Sequence, residues 1–246
     1  MSKETQAEKT EQNREQILEL GTALSKTQRG TIYTLTIIGQ IEGHQVQPEN
    51  VKTTKYEHVL PLLASIEESD EVDGVLFLLN TVGGDIEAGL AIAEQIAGMR
   101  KPTVSLVLGG GHSIGVPLAV ASKRSMIAPT ASMMLHPVRT TGMVVHSPET
   151  YRYMNRLQEQ IVDFVTANSR IRREQFLSYM MDHKDIATDV GTILYGKEAV
   201  QCGLIDRVGG LNDALETLHR MIASERRKAE KRRQAEEKPT REAAGR

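Results

Sequence analysis

Between about residues 31 and 222 the chain alternates between short hydrophobic segments and longer amphipathic ones. The short segments are β-branched or continuously apolar, which is typical of strands that a sheet buries on both faces. They are Thr31–Ile41, Gly74–Leu79, Thr103–Leu108, Ser125–Ala128, Ser132–Leu135 and the β-like stretch Thr192–Tyr195.

The longer segments carry apolar side chains three or four positions apart, a spacing that predicts helices. They are Tyr56–Ser69, Ile86–Met99, Pro148–Asn168, Arg172–Met181, Gly196–Gly203 and Leu211–Met221, with the apolar segment Ser113–Ala121 in addition. Because strands alternate with helices, we predict right-handed crossovers and an α/β fold with a largely parallel sheet.

The two ends of the chain differ from this central region. Residues 1–30 are polar, with only a short helical pattern at Ile17, Leu18, Leu20 and Leu24. Residues 223–246 form a run of mixed charge, which is typical of a solvated helix that frays, although a basic contact to a membrane surface or a partner is the alternative. We therefore expect a polar extension (1–30), a core domain (31–222) and a charged tail (223–246).

The composition narrows the class of protein. With 30 Lys and Arg against 32 Asp and Glu, the net charge of −2 gives no global attraction to nucleic acid. No run of about 18 apolar residues and no secretory signal is present, so we expect a cytoplasmic protein without an integral membrane segment. Cys202 is the single cysteine, which excludes an internal disulfide and a cysteine-rich metal site, and we expect neither metal nor cofactor.

The main chemical signal is Gly111-His112-Ser113-Ile114-Gly115, between a predicted buried strand and a helix. A G-x-S-x-G pattern at such a junction is typical of a nucleophile elbow, whose serine hydroxyl is exposed on a tight turn. A purely structural strand–helix turn has the same composition, so the motif alone leaves both interpretations open.

A serine nucleophile needs a base, and His136 is the candidate. It ends a short apolar strand directly before Pro137, where a side chain can emerge into a cleft. The seven histidines offer few alternatives, since most lie in polar or loop segments and we expect His112 to point away from the serine.

The turn Asn80–Asp85 ends one predicted buried strand just as Ser113 follows the next. The carboxyl ends of adjacent parallel strands lie side by side, where the sites of α/β proteins form. Gly83 and Gly84 allow the backbone to approach a substrate closely, or else only make a tight turn. The N–H groups of Gly84 and Ile114 would together form a two-donor oxyanion hole.

Four motifs in this order resemble the proteolytic subunit of Clp protease (ClpP), a family of serine endopeptidases. The family motifs N-S-P-G-G, G-x-A-A-S-M-G, M-I-H-Q-P and E-A-x-x-x-G-L-I/V-D correspond here to Asn80–Gly84, Gly109–Gly115, Met134–Pro137 and Glu198–Asp206. The resemblance covers about residues 31–215 and is strongest to the translocation-enhancing TepA group. Val82 replaces the family proline, and the bulkier His112 replaces an alanine beside the serine.

The resemblance implies a ClpP/crotonase-like spiral of β-β-α units that cleaves unfolded or pre-protein substrates. Ser113 would be the nucleophile, His136 the general base, and Gly84 and Ile114 the oxyanion donors. Pro148–Asn168 would match the helix that joins subunits into a homo-oligomeric ring. Its apolar stripe consists of Met154, Leu157, Ile161, Phe164 and Val165.

The family also implies an aspartate that completes the triad, shortly before the Glu198–Asp206 motif. The candidates are Asp182, Asp185 and Asp189. We select Asp189, with Asp185 second, because Asp189 lies nearest the family position and enters the β-like stretch before Tyr195.

Three other functions compete with a peptidase. A crotonase-type acyl-CoA enzyme would use the same two-amide hole, and a catalytically silent scaffold or binding protein would use none of these groups. An α/β-hydrolase has the order Ser, Asp, His, which leaves only His219 as a late base. The chain has no G-x-x-x-x-G-K-[ST] loop, so any ATPase partner would be a separate chain.

Overall fold

A mainly parallel sheet organises the chain in the computed structural model, which describes residues 17, 21–139, 147–182 and 190–243. Its strands run in the spatial order β1-β2-β4-β5-β6-β9, and β1 is the antiparallel member. These strands are β1 (Thr22–Thr27), β2 (Gly30–Glu42), β4 (Gly74–Gly84), β5 (Thr103–Gly111), β6 (Arg124–Ile127) and β9 (Arg207–Val208). The short β3 (Thr53–Lys55) extends the sheet beside β2.

Two further strands form an antiparallel pair that branches from the end of β5. These are β7 (Ser132–Leu135) and β8 (Thr192–Tyr195), and a bridge between Gly110 and Ser132 joins the pair to the sheet. This branch carries the backbone away from the sheet directly beside the carboxyl end of β5.

Helices follow most of the strands. They are α1 (Tyr56–Glu68), α2 (Ile86–Gly98), α3 (Gly115–Val120), α4 (Pro148–Ala167), α5 (Arg173–Met180), α6 (Gly196–Gln201) and α7 (Leu211–Ala243). Local chemistry fixes where two of them begin. Asp85 Oδ1 accepts the Ala88 N–H at 2.8 Å at the start of α2, and Ser147 Oγ accepts the Thr150 N–H at 3.2 Å at the start of α4.

Helices cover both faces of the sheet. Alternate residues of each central strand point to opposite faces, and on both faces many of these side chains are apolar. On one face Val75, Phe77 and Leu79 are buried in the main core together with residues of α1, α2 and α3. On the other face Leu76 and its neighbours pack under α7, which buries Leu218. The last buried side chain of α7 is Ile222, and the described side chains after it are exposed or half-buried.

The predicted mixed α/β architecture with a mostly parallel sheet is confirmed, and the strands and helices predicted between residues 31 and 222 are present. Most boundaries shift by a few residues, but the last helix, predicted over Leu211–Met221, extends over Leu211–Ala243. The helical pattern predicted near the N-terminus is wrong for Leu24, which lies in β1 and packs against the main core. The sequence did not indicate β3 or β9, which are too short to show a periodicity. None of the helices among the described residues is both long and apolar enough to cross a membrane.

Candidate active site

Ser113 lies on a tight turn between β5 and α3. Its φ is +57°, and it is the one non-glycine residue with positive φ in the described part of the chain. The Gly115 N–H donates to His112 O at 2.8 Å and the Val116 N–H donates to Ser113 O at 2.9 Å, so the turn closes around the serine. Strained backbone of this kind concentrates at functional sites, and the strand–turn–helix context is that of a nucleophile elbow.

The strand β7 holds this turn from the other side. The Ser113 N–H donates to Met134 O at 2.9 Å, and the Met134 N–H donates to His112 Nδ1 at 3.0 Å. The N–H and the C=O of Met134 are therefore both hydrogen-bonded to the elbow, the first to His112 and the second to Ser113. The same strand then leads directly to His136.

The ring of His136 has a defined orientation. Its Nδ1 lies 2.7 Å from Pro137 O, and because a carbonyl oxygen only accepts, Nδ1 carries the proton of the neutral ring. Nε2 is then the basic nitrogen.

The end of β4 approaches the serine closely. A Cβ on Gly83 would lie 2.6 Å from Ser113 Cβ, and the φ of Gly83 is +93°, so only glycine fits there. Thr81 is buried, and its Oγ1 donates to Gly39 O at 2.6 Å and accepts the Gly83 N–H at 3.0 Å. Thr81 thereby ties the glycine turn to β2.

The ladder between β2 and β4 sets the direction of the Gly84 N–H. Gly84 is paired with Ile41, and the Asp85 N–H donates to Ile41 O at 3.0 Å. In a parallel pair of strands, a residue forms its hydrogen bonds with the two neighbours of its partner and not with the partner itself. Ile41 therefore bonds the residues on either side of Gly84, and the N–H of Gly84 points away from β2, toward β5. The N–H of Ile114 precedes the first turn of α3 and has no hydrogen bond among the described residues.

A cavity of about 150 Å³ opens between these groups. Ser113, His136 and Gly84 lie on its wall, together with residues 137–139. The rest of the wall is apolar and consists of Ile86, Val116, Leu135, Ile161, Phe176 and Met180. No three His, Cys, Asp or Glu side chains in the described ranges are grouped so that they could hold a metal ion.

Of the three aspartates considered for the triad, Asp185 and Asp189 lie outside the described residues. Asp182 is described, and its carbonyl accepts the Gly191 N–H at 2.7 Å. Gly191 itself packs on the histidine, since a Cβ there would lie 2.9 Å from His136 Cβ. Asp182 and Gly191 are therefore neighbours in space, and Gly191 contacts His136.

The structure brings Ser113, His136 and Gly84 to the wall of one cavity. Sequence reasoning missed the part played by His112 and Thr81, whose side chains bond backbone groups of the site. The one signal for His112 was its size, because it stands where the related motif has an alanine.

The sequence of this chain is similar to those of known proteins over most of its length. The Clp protease family model matches residues 28–211. The translocation-enhancing protein TepA of Halalkalibacterium halodurans is 50% identical over 209 residues, which cover 85% of this chain and 82% of that protein. The proteolytic subunit of the ATP-dependent Clp protease of Lactococcus lactis subsp. cremoris is 25% identical over 161 residues, which cover 61% of this chain and 74% of the subunit.

The family model spans well over half of the chain, and the match to TepA extends to nearly all of it. Together with the mostly parallel sheet, these matches confirm the predicted ClpP/crotonase-like fold. This chain belongs to the Clp protease family.

Proposed function

We propose that this chain is a serine endopeptidase that cleaves peptide bonds of unfolded polypeptides through Ser113 and His136. One observation carries the proposal. A strained serine elbow and a histidine whose basic nitrogen is Nε2 lie on the wall of the same cavity. A serine hydroxyl becomes a useful nucleophile when such a base removes its proton.

The reaction follows from this arrangement. Ser113 Oγ attacks the carbonyl carbon of the scissile bond while His136 Nε2 takes the hydroxyl proton. The imidazolium then gives that proton to the leaving amine, which leaves an acyl group on Ser113. Water, activated by the same nitrogen, releases the acyl group and restores the serine.

We assign the oxyanion hole to the N–H groups of Gly84 and Ile114. The Gly84 N–H is directed to the β5 side by the ladder, and the Ile114 N–H belongs to the residue after the nucleophile. Removing one oxyanion-hole donor from a serine protease costs about 2.7–4 kcal/mol of transition-state stabilisation.

The cavity supports a preference for substrates with an apolar side chain beside the scissile bond. Its volume of about 150 Å³ accommodates one side chain of medium size, and most of its wall is hydrophobic. Transfer of one such side chain from water contributes about 1.5–3 kcal/mol to binding. Unfolded segments present such side chains more often than folded surfaces do.

Asp189 is our first choice for the carboxylate that orients His136, with Asp185 second. Asp189 is two residues from Gly191 along the chain, and Gly191 packs against His136.

The wider setting rests on the relatives. The protein of Halalkalibacterium halodurans is named translocation-enhancing, and we propose that pre-proteins are among the substrates of this chain as well. We also propose a cytoplasmic homo-oligomer, with any ATP dependence supplied by a separate chain, because the sequence lacks a phosphate-binding loop.

Fluorophosphonate labelling tests the peptidase proposal. Wild-type protein should label at Ser113, and Ser113→Ala should abolish labelling and the cleavage of short unstructured peptides. His136→Ala should lower both by orders of magnitude, because the pair acts as a unit. Ser69→Ala, at the end of α1, is the matched serine control and should label like wild type. Equal peptide cleavage by wild type and both site variants would overturn the proposal.

A non-catalytic scaffold is the second candidate. The observation that favours it is the departure of this chain from the family motifs around the serine, where Val82 stands in place of a proline and His112 in place of an alanine. A folded wild-type protein that binds unfolded polypeptide but neither labels nor cleaves would support this function. The acyl-CoA alternative has no such observation in its favour.

A further inference from the structure

We propose that His112 is a positioning residue whose neutral imidazole fastens the strand of His136 to the serine elbow, so that its protonation disables the site. The inference rests on the proposed peptidase function and goes beyond it. The related motif has an alanine here, so the side chain is a feature of this chain rather than a requirement of the fold.

Two hydrogen bonds of opposite donor direction join β7 to the serine elbow. Met134 accepts from the Ser113 N–H at 2.9 Å and donates to His112 Nδ1 at 3.0 Å. The first bond needs only backbone, but the second exists because the side chain at position 112 offers an acceptor. Met134 is two residues before His136, so this bond limits how far the base can move from the nucleophile.

The bond defines the protonation state of His112. An imidazole nitrogen accepts an N–H only through its lone pair, so Nδ1 is unprotonated and the proton of the neutral ring is on Nε2. His112 Nε2 lies against the backbone of Gly110, where a Cβ would be only 2.7 Å away. A glycine at position 110 is thus what allows the ring to lie in this place.

The surroundings of His112 also favour its neutral form. The side chain is half-buried, and on the β4 side the uncharged carbonyl of Thr81 accepts the backbone N–H of His112 at 3.2 Å. From β7 the one titratable neighbour among the described residues is His136. Burial, and then the charge of His136, lower the pKa of His112 below its ordinary value.

Acidification should therefore act on the site twice. Protonation of His136 removes the general base. Protonation of His112 at Nδ1 removes the acceptor for the Met134 N–H and puts a second positive charge beside the base. We therefore predict that two protonation events lower the rate on the acidic side of the pH profile. In a simple triad, protonation of the histidine alone lowers the rate.

Two variants separate the bond from the charge. His112→Leu removes the acceptor with little change in side-chain volume. His112→Asn keeps an oxygen acceptor near the position of Nδ1 and cannot be protonated in this range. The rate of fluorophosphonate labelling is measured against pH for wild type and both variants. Backbone hydrogen exchange of the peptide that contains Met134 is followed by mass spectrometry on the same samples.

We expect His112→Leu to label at least about tenfold more slowly at neutral pH, since small misplacements of catalytic groups have large effects. Exchange at Met134 should be faster in this variant. His112→Asn should recover most of the rate. Its acid limb should fall about tenfold per pH unit, against about a hundredfold per unit for wild type below both pKa values.

Wild-type rate and unchanged exchange in His112→Leu would overturn the proposal, as would an identical acid slope in wild type and His112→Asn. The exchange measurement needs no activity, so it separates the two hypotheses. If wild type never labels but Met134 exchange still depends on His112 and on pH, the fastening stands and the peptidase function fails. If wild type labels and neither variant changes the labelling rate or the exchange, the peptidase function stands and the proposed role of His112 fails.

Discussion

The backbone at Ser113 carries a conformation that costs a non-glycine residue about 1–2 kcal/mol. It persists because Met134 O, Gly83 and the first turn of α3 fix the elbow from three sides. Glycine would remove this cost, so the serine side chain needs a reason to be there. The cavity it faces, with His136 on the same wall, provides that reason.

Replacing Asp189 by asparagine tests the third member of the proposed triad. Asparagine keeps the shape but loses the charge that stabilises an imidazolium, so turnover should fall by up to about 10⁴-fold. The fold should persist, which far-UV circular dichroism and the thermal midpoint would check. Peptide cleavage by Asp189→Asn is the measurement.

Asp185→Asn and Asp182→Asn are the matched controls for that experiment, because each removes one carboxylate from the same region. Both should keep activity close to wild type. Full activity in Asp189→Asn combined with a large loss in Asp185→Asn would transfer the role to Asp185.

Among the elements, β1 changes where the folded domain begins. It pairs with β2 over six residues, buries Thr22 and places Leu24 against the main core. In addition, Gly21 O accepts the backbone N–H and the hydroxyl of Thr36. The strand therefore belongs to the sheet although it precedes the boundary expected at residue 30.

A pair of truncations tests this role of β1. A chain that begins at residue 21 should keep the thermal midpoint of the full chain. A chain that begins at residue 29 loses the ladder to β2, where each hydrogen bond contributes about 0.5–1.5 kcal/mol. We expect its midpoint to fall by about 5–10 °C and its exposed β2 edge to promote aggregation. Equal midpoints of both truncated chains by calorimetry would show that β1 is dispensable.

The other elements show why some of the fold and the site could be predicted and some could not. Strands such as β4 and β5 are continuously apolar, so their pattern identifies them without a partner. The segment Thr22–Thr27 is mostly polar and is a strand because β2 pairs with it. In the candidate site, Ser113 and His136 could be proposed from their places at strand ends. The bond of His112 could not, because its partner is a backbone N–H that leaves no trace in the sequence.

At the scale of the whole molecule, we consider two surfaces with exposed apolar side chains as interfaces between copies of this chain. On the sheet face that α7 partly covers, Ile38 and Leu108 are each 44% exposed. Ile38 is paired with Asn80 of β4, and Leu108 directly follows Val107, which is paired with Leu79 of β4. The second surface is the first half of α4, where Tyr151 is 69% exposed, whereas Phe164 and Val165 in its second half are buried in the core.

These surfaces predict self-association, since neighbouring exposed apolar groups on a sheet face usually mark an interface. Full-length protein at micromolar concentration should sediment as a homo-oligomer. Replacing both Ile38 and Leu108 by lysine should shift it to smaller species, because charges buried at an interface carry a large desolvation cost. The monomer should stay folded, since both side chains already contact solvent. Val46→Lys is the matched control, because Val46 is 83% exposed on the loop between β2 and β3. A wild-type monomer, or a double variant that sediments like wild type, would contradict the assignment of this face.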